Sequence, residues 1–201
     1  MSSPKSRREL YSEATRAALL ETATEMFTER GFAAVSLDEI ATATQVTRGA
    51  VYHHFDSKKA LFEAVLAVLE IRMTEQVLAA AAKVEDPWEA AITALDTFLD
   101  QCRDRTYGRV CWLEGPVALG WGRWMEVEKV HAFGLVENFL NVLVAAGLVR
   151  PLPVETAAQL IFHLLGGSGR VIAEASDAEK VRLRDECSTL MRRMLEGLRT
   201  R

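Results

Sequence analysis

The sequence predicts an all-α chain of about nine helices, and three observations carry that prediction. No segment shows the alternation of apolar and polar residues, rich in Val, Ile and Thr, that strands need. Apolar residues instead recur at helical spacing, and capping signatures open one segment after another. The five prolines, Pro4, Pro87, Pro116, Pro151 and Pro153, stand at the edges of these segments.

The first helix is expected over 12–30, where Leu19, Leu20, Ala23, Met26 and Phe27 form one apolar stripe and Gly31 ends it. Ser36-Leu-Asp-Glu39 reads as a capping box. The helix it opens is short, because 42–46 reads as a turn, and a second short helix follows over about 47–55. Asp56 or Ser57 then caps a long helix reaching about Lys83. Asp86-Pro-Trp-Glu89 supplies an acidic N-cap, proline in the first turn and a glutamate three residues on, opening a helix to about Arg103. Tyr107–Leu119 is expected to be helical, with Pro116 distorting or ending it. A longer helix follows over about 124–146, stopped by Gly147. The last two helices are expected over 154–175 and 176–199.

Length and composition fit a globular chain: 201 residues, 49% hydrophobic and 26% charged. The opening stretch is polar with no apolar core, which argues against a signal peptide. No apolar run approaches the roughly 20 residues that span a bilayer. A soluble cytoplasmic protein without membrane contact is therefore expected. Cys102, Cys111 and Cys187 are odd in number, widely spaced and form no CxxC pair, so neither a disulfide framework nor a metal site is expected. The net charge is −4, all of it carried by 60–201, because 1–59 holds eight basic and eight acidic groups. That balance permits an N-terminal nucleic-acid module without indicating one.

The segment Val35–Phe55 carries the functional signal. Two short helices are joined by a tight turn, with Leu37, Ile40 and Ala41 facing inward from the first and Val51 and Phe55 from the second. Val46 plugs the turn, which is the pattern of a helix-turn-helix. The outward face of the second helix holds Thr47, Arg48, Gly49, Tyr52 and His53. The N-terminal end of such a helix enters the major groove. There Arg48 can donate two hydrogen bonds to a guanine, and Gly49 permits close approach. Lys58 and Lys59 open the next helix, where backbone N–H groups already favour a phosphate. A three-helix packing module with a solvated polar face would share this pattern.

The stretch Leu20–Leu61 resembles the N-terminal domain of the TetR (tetracycline repressor) family of transcriptional regulators. The matching pieces are Phe27-Thr-Glu-Arg-Gly-Phe32, Ser36-Leu-x-x-Ile-Ala41, the run from Val46 to Phe55, and Ser57-Lys-Lys-x-Leu-Phe62. The resemblance implies a homodimer that reads palindromic double-stranded operator DNA, most often as a repressor released by a small effector. It divides the chain into a DNA-binding domain over 1–57 and an effector-binding and dimerisation domain over 58–201. It places DNA contacts at Thr47, Arg48, Gly49, Tyr52, His53 and Lys59, to which Ser36 and Lys58 are added. One position departs from the pattern. Gln45 stands in the turn where members usually have glycine, and a left-handed non-glycine residue costs roughly 1–2 kcal/mol.

Lys5, Arg7, Arg8 and Arg16 make a basic N-terminal arm that either follows phosphates or is a frayed tail. Beyond residue 60 the aromatic residues accumulate. Phe98, Cys111, Trp112, Trp124 and His131 are the expected lining of a hydrophobic effector pocket, with ordinary core packing as the competing role for each. Gly166-Gly-Ser-Gly169 reads either as a loop or as a helix with a small face; the apolar phase running through it favours the helix. With Leu183, Leu190 and Met194, Gly166 and Gly169 form the expected dimer interface, two helices from each subunit making a four-helix bundle.

Other classes fit less well. No nucleophile elbow, phosphate-binding loop, zinc-protease or dinucleotide fingerprint is present, so no catalytic residue, metal or cofactor is expected. A helical module that binds protein rather than DNA is the remaining alternative, and Arg48 distinguishes it.

Overall fold

The computed structural model describes residues 6–200, and among them the chain is helical nearly throughout. Lys5, expected in the basic arm, lies outside the described residues. The helices are α1 (Arg7–Arg30), α2 (Leu37–Ala43), α3 (Arg48–His54), α4 (Lys58–Ala81), α5 (Pro87–Arg103), α6 (105–119), α7 (121–145), α8 (Val154–Glu174) and α9 (Asp177–Glu196). The only strand-like pairing among the described residues is an isolated bridge between Val149 and Arg199. No described helix is long and apolar enough to cross a membrane. The chain divides into two compact units, Met1–Leu66 and Ala67–Arg201, the division falling inside α4.

In the first unit, α1 begins five residues earlier than its apolar stripe predicts. Ser6 and Glu9 form a reciprocal capping box, each side chain bonded to the other's backbone N–H. Caps rather than burial hold these first turns, since Leu10 and Tyr11 are exposed. Arg7, Arg8 and Arg16 therefore stand on a helix and not on an extended arm. Arg16 lies over the Phe55 ring at 5.3 Å and Arg7 over Tyr11 at 5.8 Å. Leu19, Ala23, Phe27, Ile40, Val51, Leu61 and Phe62 are fully buried around a trio of aromatic rings. Phe62 meets Phe27 and Phe32 edge-on, at 5.2 and 5.1 Å between centroids.

In the second unit α8 is the central helix, packed against α5, α6, α7 and α9. Gly166 and Gly169 lie within it, which settles the loop-or-helix alternative for helix. Asp86 caps α5 with Pro87 in the first turn, as its sequence predicts. Between α5 and α9 runs an ionic seam. Arg184 pairs with Asp96 and Asp100, and Asp96 also takes Arg192 and the Ser188 hydroxyl.

Both α6 and α7 widen into π-helical turns, over Gly108–Glu114 and Lys129–Phe133. The first widening comes just before Pro116, whose ring would collide with the Trp112 carbonyl in a straight α-helix. Pro116 thus distorts α6 without ending it. Gly120, at φ +79°, separates α6 from α7, so α7 begins at Trp121 and not at Trp124.

Candidate functional site

Two places in the chain have the geometry of a binding site, one in each unit. The first is the outward face of α2 and α3. Ser36 caps α2 and bonds reciprocally with Glu39. Arg30 joins the same carboxylate at 2.7 Å, and together these partners hold Glu39 down at about 2. The α2–α3 turn passes through Gln45 at φ +58°, the left-handed conformation that glycine would take without strain. Thr47 caps α3 by accepting from the Ala50 N–H. Leu37, Ile40, Ala41, Val51 and Phe55 are buried as the inward face, and Val46 is half-buried in the turn.

Thr47, Arg48, Gly49, Tyr52 and His53 are all exposed on one side of α3. Arg48 is held in place before any partner arrives. Its Nη1 donates to Asp38 at 2.9 Å, and its guanidinium lies 5.5 Å from the Tyr52 ring centre. A Cβ at Gly49 would meet nothing closer than 3.9 Å within the chain, so its smallness matters only to something arriving from outside.

Two of the expected DNA contacts are otherwise engaged. Lys58 turns inward: Nζ donates to the Phe32 and Val35 carbonyls, both at 2.8 Å, and lies 4.2 Å from the Phe32 ring centre. It satisfies carbonyls of the α1–α2 connection with two of its three N–H groups. The Ser36 hydroxyl is occupied as a cap by Glu39. Lys59, by contrast, is exposed.

The second place is a cavity of about 110 Å³ within the second unit. Its walls are almost wholly apolar, including Met73, Leu95, Phe98, Trp112, Phe139 and Phe162. An engineered apolar cavity of about 150 Å³ accepts benzene, so this space alone is smaller than one ring needs, and a ligand bearing a ring extends into the space beside it. A second recess of about 280 Å³ adjoins it, sharing Trp112, Glu128, Phe162 and Gly166 and reaching the exposed Trp121.

Of the expected pocket residues, Phe98 and Trp112 line the cavity, and Trp124 lines the adjoining recess. Cys111 and His131 line neither. Cys111 faces the packed interior, and burial pushes its thiol well above the usual range, as it does that of Cys102. Neither is a reactive thiolate. No cluster of three or more His, Cys, Asp or Glu among the described residues could hold a metal.

Sequence reasoning missed the polar groups of this cavity. Glu70, on α4, is fully buried with neither carboxylate oxygen hydrogen-bonded, and Glu128, on α7, is buried with Oε1 unpartnered. Tyr107 and Trp112 add a hydroxyl and an indole N–H, also without partners. Burial pushes the Glu70 carboxyl up to about 7, against the opposing pull of the nearby Tyr107 hydroxyl and Cys111 thiol. Burial pushes Glu128 up as well, with the Glu70 charge adding to it. The signal was present in the sequence: Glu70 stands four residues after Leu66 and three before Met73, on the buried stripe of α4.

The glycines expected at a subunit interface are used inside the chain. Gly169 is buried and Gly166 half-buried, both against Trp112. An apolar face does remain open on the last two helices. Leu160, Leu164 and Val171 of α8 are exposed, with Gly167 in phase between them, and Val181, Leu190 and Met194 of α9 are exposed too. Leu183 is half-buried.

Comparison with known proteins places both regions. Residues 19–65 match the family model described as bacterial regulatory proteins, tetR family, and residues 88–198 match the tetracyclin repressor-like C-terminal domain. The transposon Tn10 TetC protein of Escherichia coli is 27% identical over 132 residues, which is 66% of each chain, just under two thirds of that relative. The HTH-type transcriptional repressor BepR of Brucella suis is 29% identical over 164 residues, 76% of this chain and 78% of that one. A TetR-family transcriptional regulator from Pectobacterium atrosepticum superposes with a TM-score of 0.84 at 28% identity, covering 98% of this chain and 99% of that one.

Proposed function

The chain belongs to the TetR family of bacterial regulatory proteins and is a DNA-binding transcriptional regulator; we propose that it is a homodimeric repressor, released from a palindromic operator when a small hydrophobic effector fills the cavity of its second unit. The observation that carries the DNA half is the exposed face of α3, where Asp38 and Tyr52 hold Arg48 at the end of a helix fit to enter a major groove. Thr47, Gly49, Tyr52, His53 and Lys59 complete the reading face. Residues 1–57 carry this role, and 58–201 carry effector binding and dimerisation.

A pair of such helices on a two-fold dimer reads half-sites about 34–36 Å apart. The open apolar face of α8 and α9 supplies the dimer contact, with Gly167 rather than Gly166 or Gly169 as the small residue that lets a partner helix approach. The lever is α4, which carries Lys59 near its start and Glu70, Met73 and Val77 along the cavity wall. An effector that binds better to a form with altered spacing lowers operator affinity by that difference in binding and by no more.

The test is to select genomic fragments that the protein binds, then measure their affinity for the wild type, Arg48→Ala and Tyr52→Ala. Selective fragments with dyad symmetry, weakened by both substitutions, are expected. No selected sequence, or affinity unchanged by both variants, would remove the assignment.

A further inference from the structure

The cavity is apolar in area but acidic in its few polar groups. Its lining includes no Lys, Arg or His, yet holds two carboxyl groups from different helices. The groups nearest Glu70 bring no positive charge: Tyr107 and Cys111 come from α6, Cys102 from α5 and Glu128 from α7. Glu128 also borders the adjoining recess, whose lining includes His163 and Arg170 of α8, the latter paired with Glu174. A buried carboxylate without a counter-charge is costly even beside neutral donors, and a second one in the same space raises that cost. Around them stand the rings of Phe98, Tyr107, Trp112, Phe139 and Phe162, whose π faces attract cations. Shape, charge and aromatic lining thus ask for one kind of occupant.

We infer that the effector of this cavity is a lipophilic monocation, an ammonium or amidinium carried on a ring or short apolar body, with its charge between Glu70 and Glu128. This rests on the reading of the cavity as the effector site. Burial raises both carboxyl groups and so favours their protonated forms. Binding a cation draws at least one of them into the charged form, so a proton leaves as the ligand enters.

The experiment is calorimetric titration of the full-length protein with benzyltrimethylammonium, whose charge is permanent, and with its uncharged carbon isostere neopentylbenzene. Any proton released on binding the former comes from the protein. For the wild type the cation should bind with a heat that varies with the ionisation enthalpy of the buffer. Its affinity should rise between pH 6 and 8, by up to about tenfold per pH unit. In Glu70→Gln and Glu128→Gln the proton release should shrink and the cation's affinity fall at least about tenfold. Binding of the isostere should be unchanged or tighter. Two variants and a wild-type readout keep the test intact if one substitution disturbs folding. If the isostere binds while the cation does not, or binds without proton release, the inference fails and the hydrophobic effector site stands. If neither probe binds, the cavity is not an effector site and both readings fall.

Discussion

The ring of Trp112 occupies the space where a side chain at Gly169 would begin. A Cβ there would lie 2.7 Å from Cε2 and 3.0 Å from two further ring atoms. Trp112 is itself buried, edge-on to Phe98, Tyr107 and Trp124, and has nowhere to retreat except into the cavity. Gly169→Ala should therefore lower stability by about 1–3 kcal/mol, the usual cost of overpacking, and reduce effector binding. Gly122 is a helical position with open space around it, where Ala should stabilise by up to about 1 kcal/mol. Thermal unfolding of the two variants separates them; equal effects would show that the Trp112 contact is not tight.

Arg48 and Asp38 divide affinity from discrimination. Arg48→Ala should weaken binding to the selected operator by about 1–3 kcal/mol, the range for a bidentate contact to a guanine. Asp38→Asn keeps Arg48 but removes the charge that holds its guanidinium and repels phosphates, so binding to scrambled duplex should tighten more than binding to operator. Lys59→Ala should weaken both duplexes alike and reduce the salt slope by about one counterion. Lys58→Ala should leave that slope unchanged and lower the melting temperature, because its partners are the Phe32 and Val35 carbonyls. Fluorescence anisotropy at several salt concentrations reads all four, and a salt slope altered by Lys58→Ala would return that residue to the interface.

The helices and their order were legible because caps, prolines and apolar phase agree along most of the chain. Asp86-Pro-Trp-Glu89 both looks like a helix start and is one. The misses share a physical cause: they depend on contacts between segments far apart in sequence. Lys58 looks like a phosphate ligand until the α1–α2 connection delivers two carbonyls to it. Gly166 and Gly169 look like a partner's landing place until Trp112, more than fifty residues earlier, fills the groove. Glu70 resembles an ordinary interruption of an apolar run unless its phase is followed through Leu66 and Met73. Ser6 and Glu9 differ: their capping box is a local signal that stands ahead of the apolar stripe, with no buried residue between them and it.

The turn residue Gln45 offers a direct stability gain. At φ +58° its Cβ is strained, and Gln45→Gly relieves that strain at the cost of a more flexible unfolded chain. The net gain should be about 0.5–1 kcal/mol, with operator binding unchanged. A lower melting temperature for the variant would mean that the glutamine side chain contributes something that its exposed position does not reveal.

The open face of α8 tests the assembly. Leu164 is 42% exposed beside Gly167, so Leu164→Arg places a charge where a partner helix is proposed to pack. Sedimentation should then show a monomer where the wild type sediments as a dimer. Operator affinity should fall by several orders of magnitude, because one recognition helix reads only half a site. A dimeric Leu164→Arg protein would move the interface elsewhere.

Glu70 gives the chain a pH dependence of defined sign. Its carboxyl is raised in the folded state to about 7, from 4.5, so the folded chain holds a proton that the unfolded chain has released. Its contribution to stability is fully present below about pH 4.5 and is lost as pH rises through about 7. Glu128, raised for the same reason, acts in the same direction. In Glu70→Gln the group no longer titrates. Variant and wild type should therefore be closest in stability near pH 5 and diverge toward pH 8, where the variant should be the more stable by on the order of 3 kcal/mol. Denaturant unfolding at intervals across that range measures the divergence. Parallel curves for the two proteins would show that Glu70 stays ionised when folded, with a partner that compensates its burial.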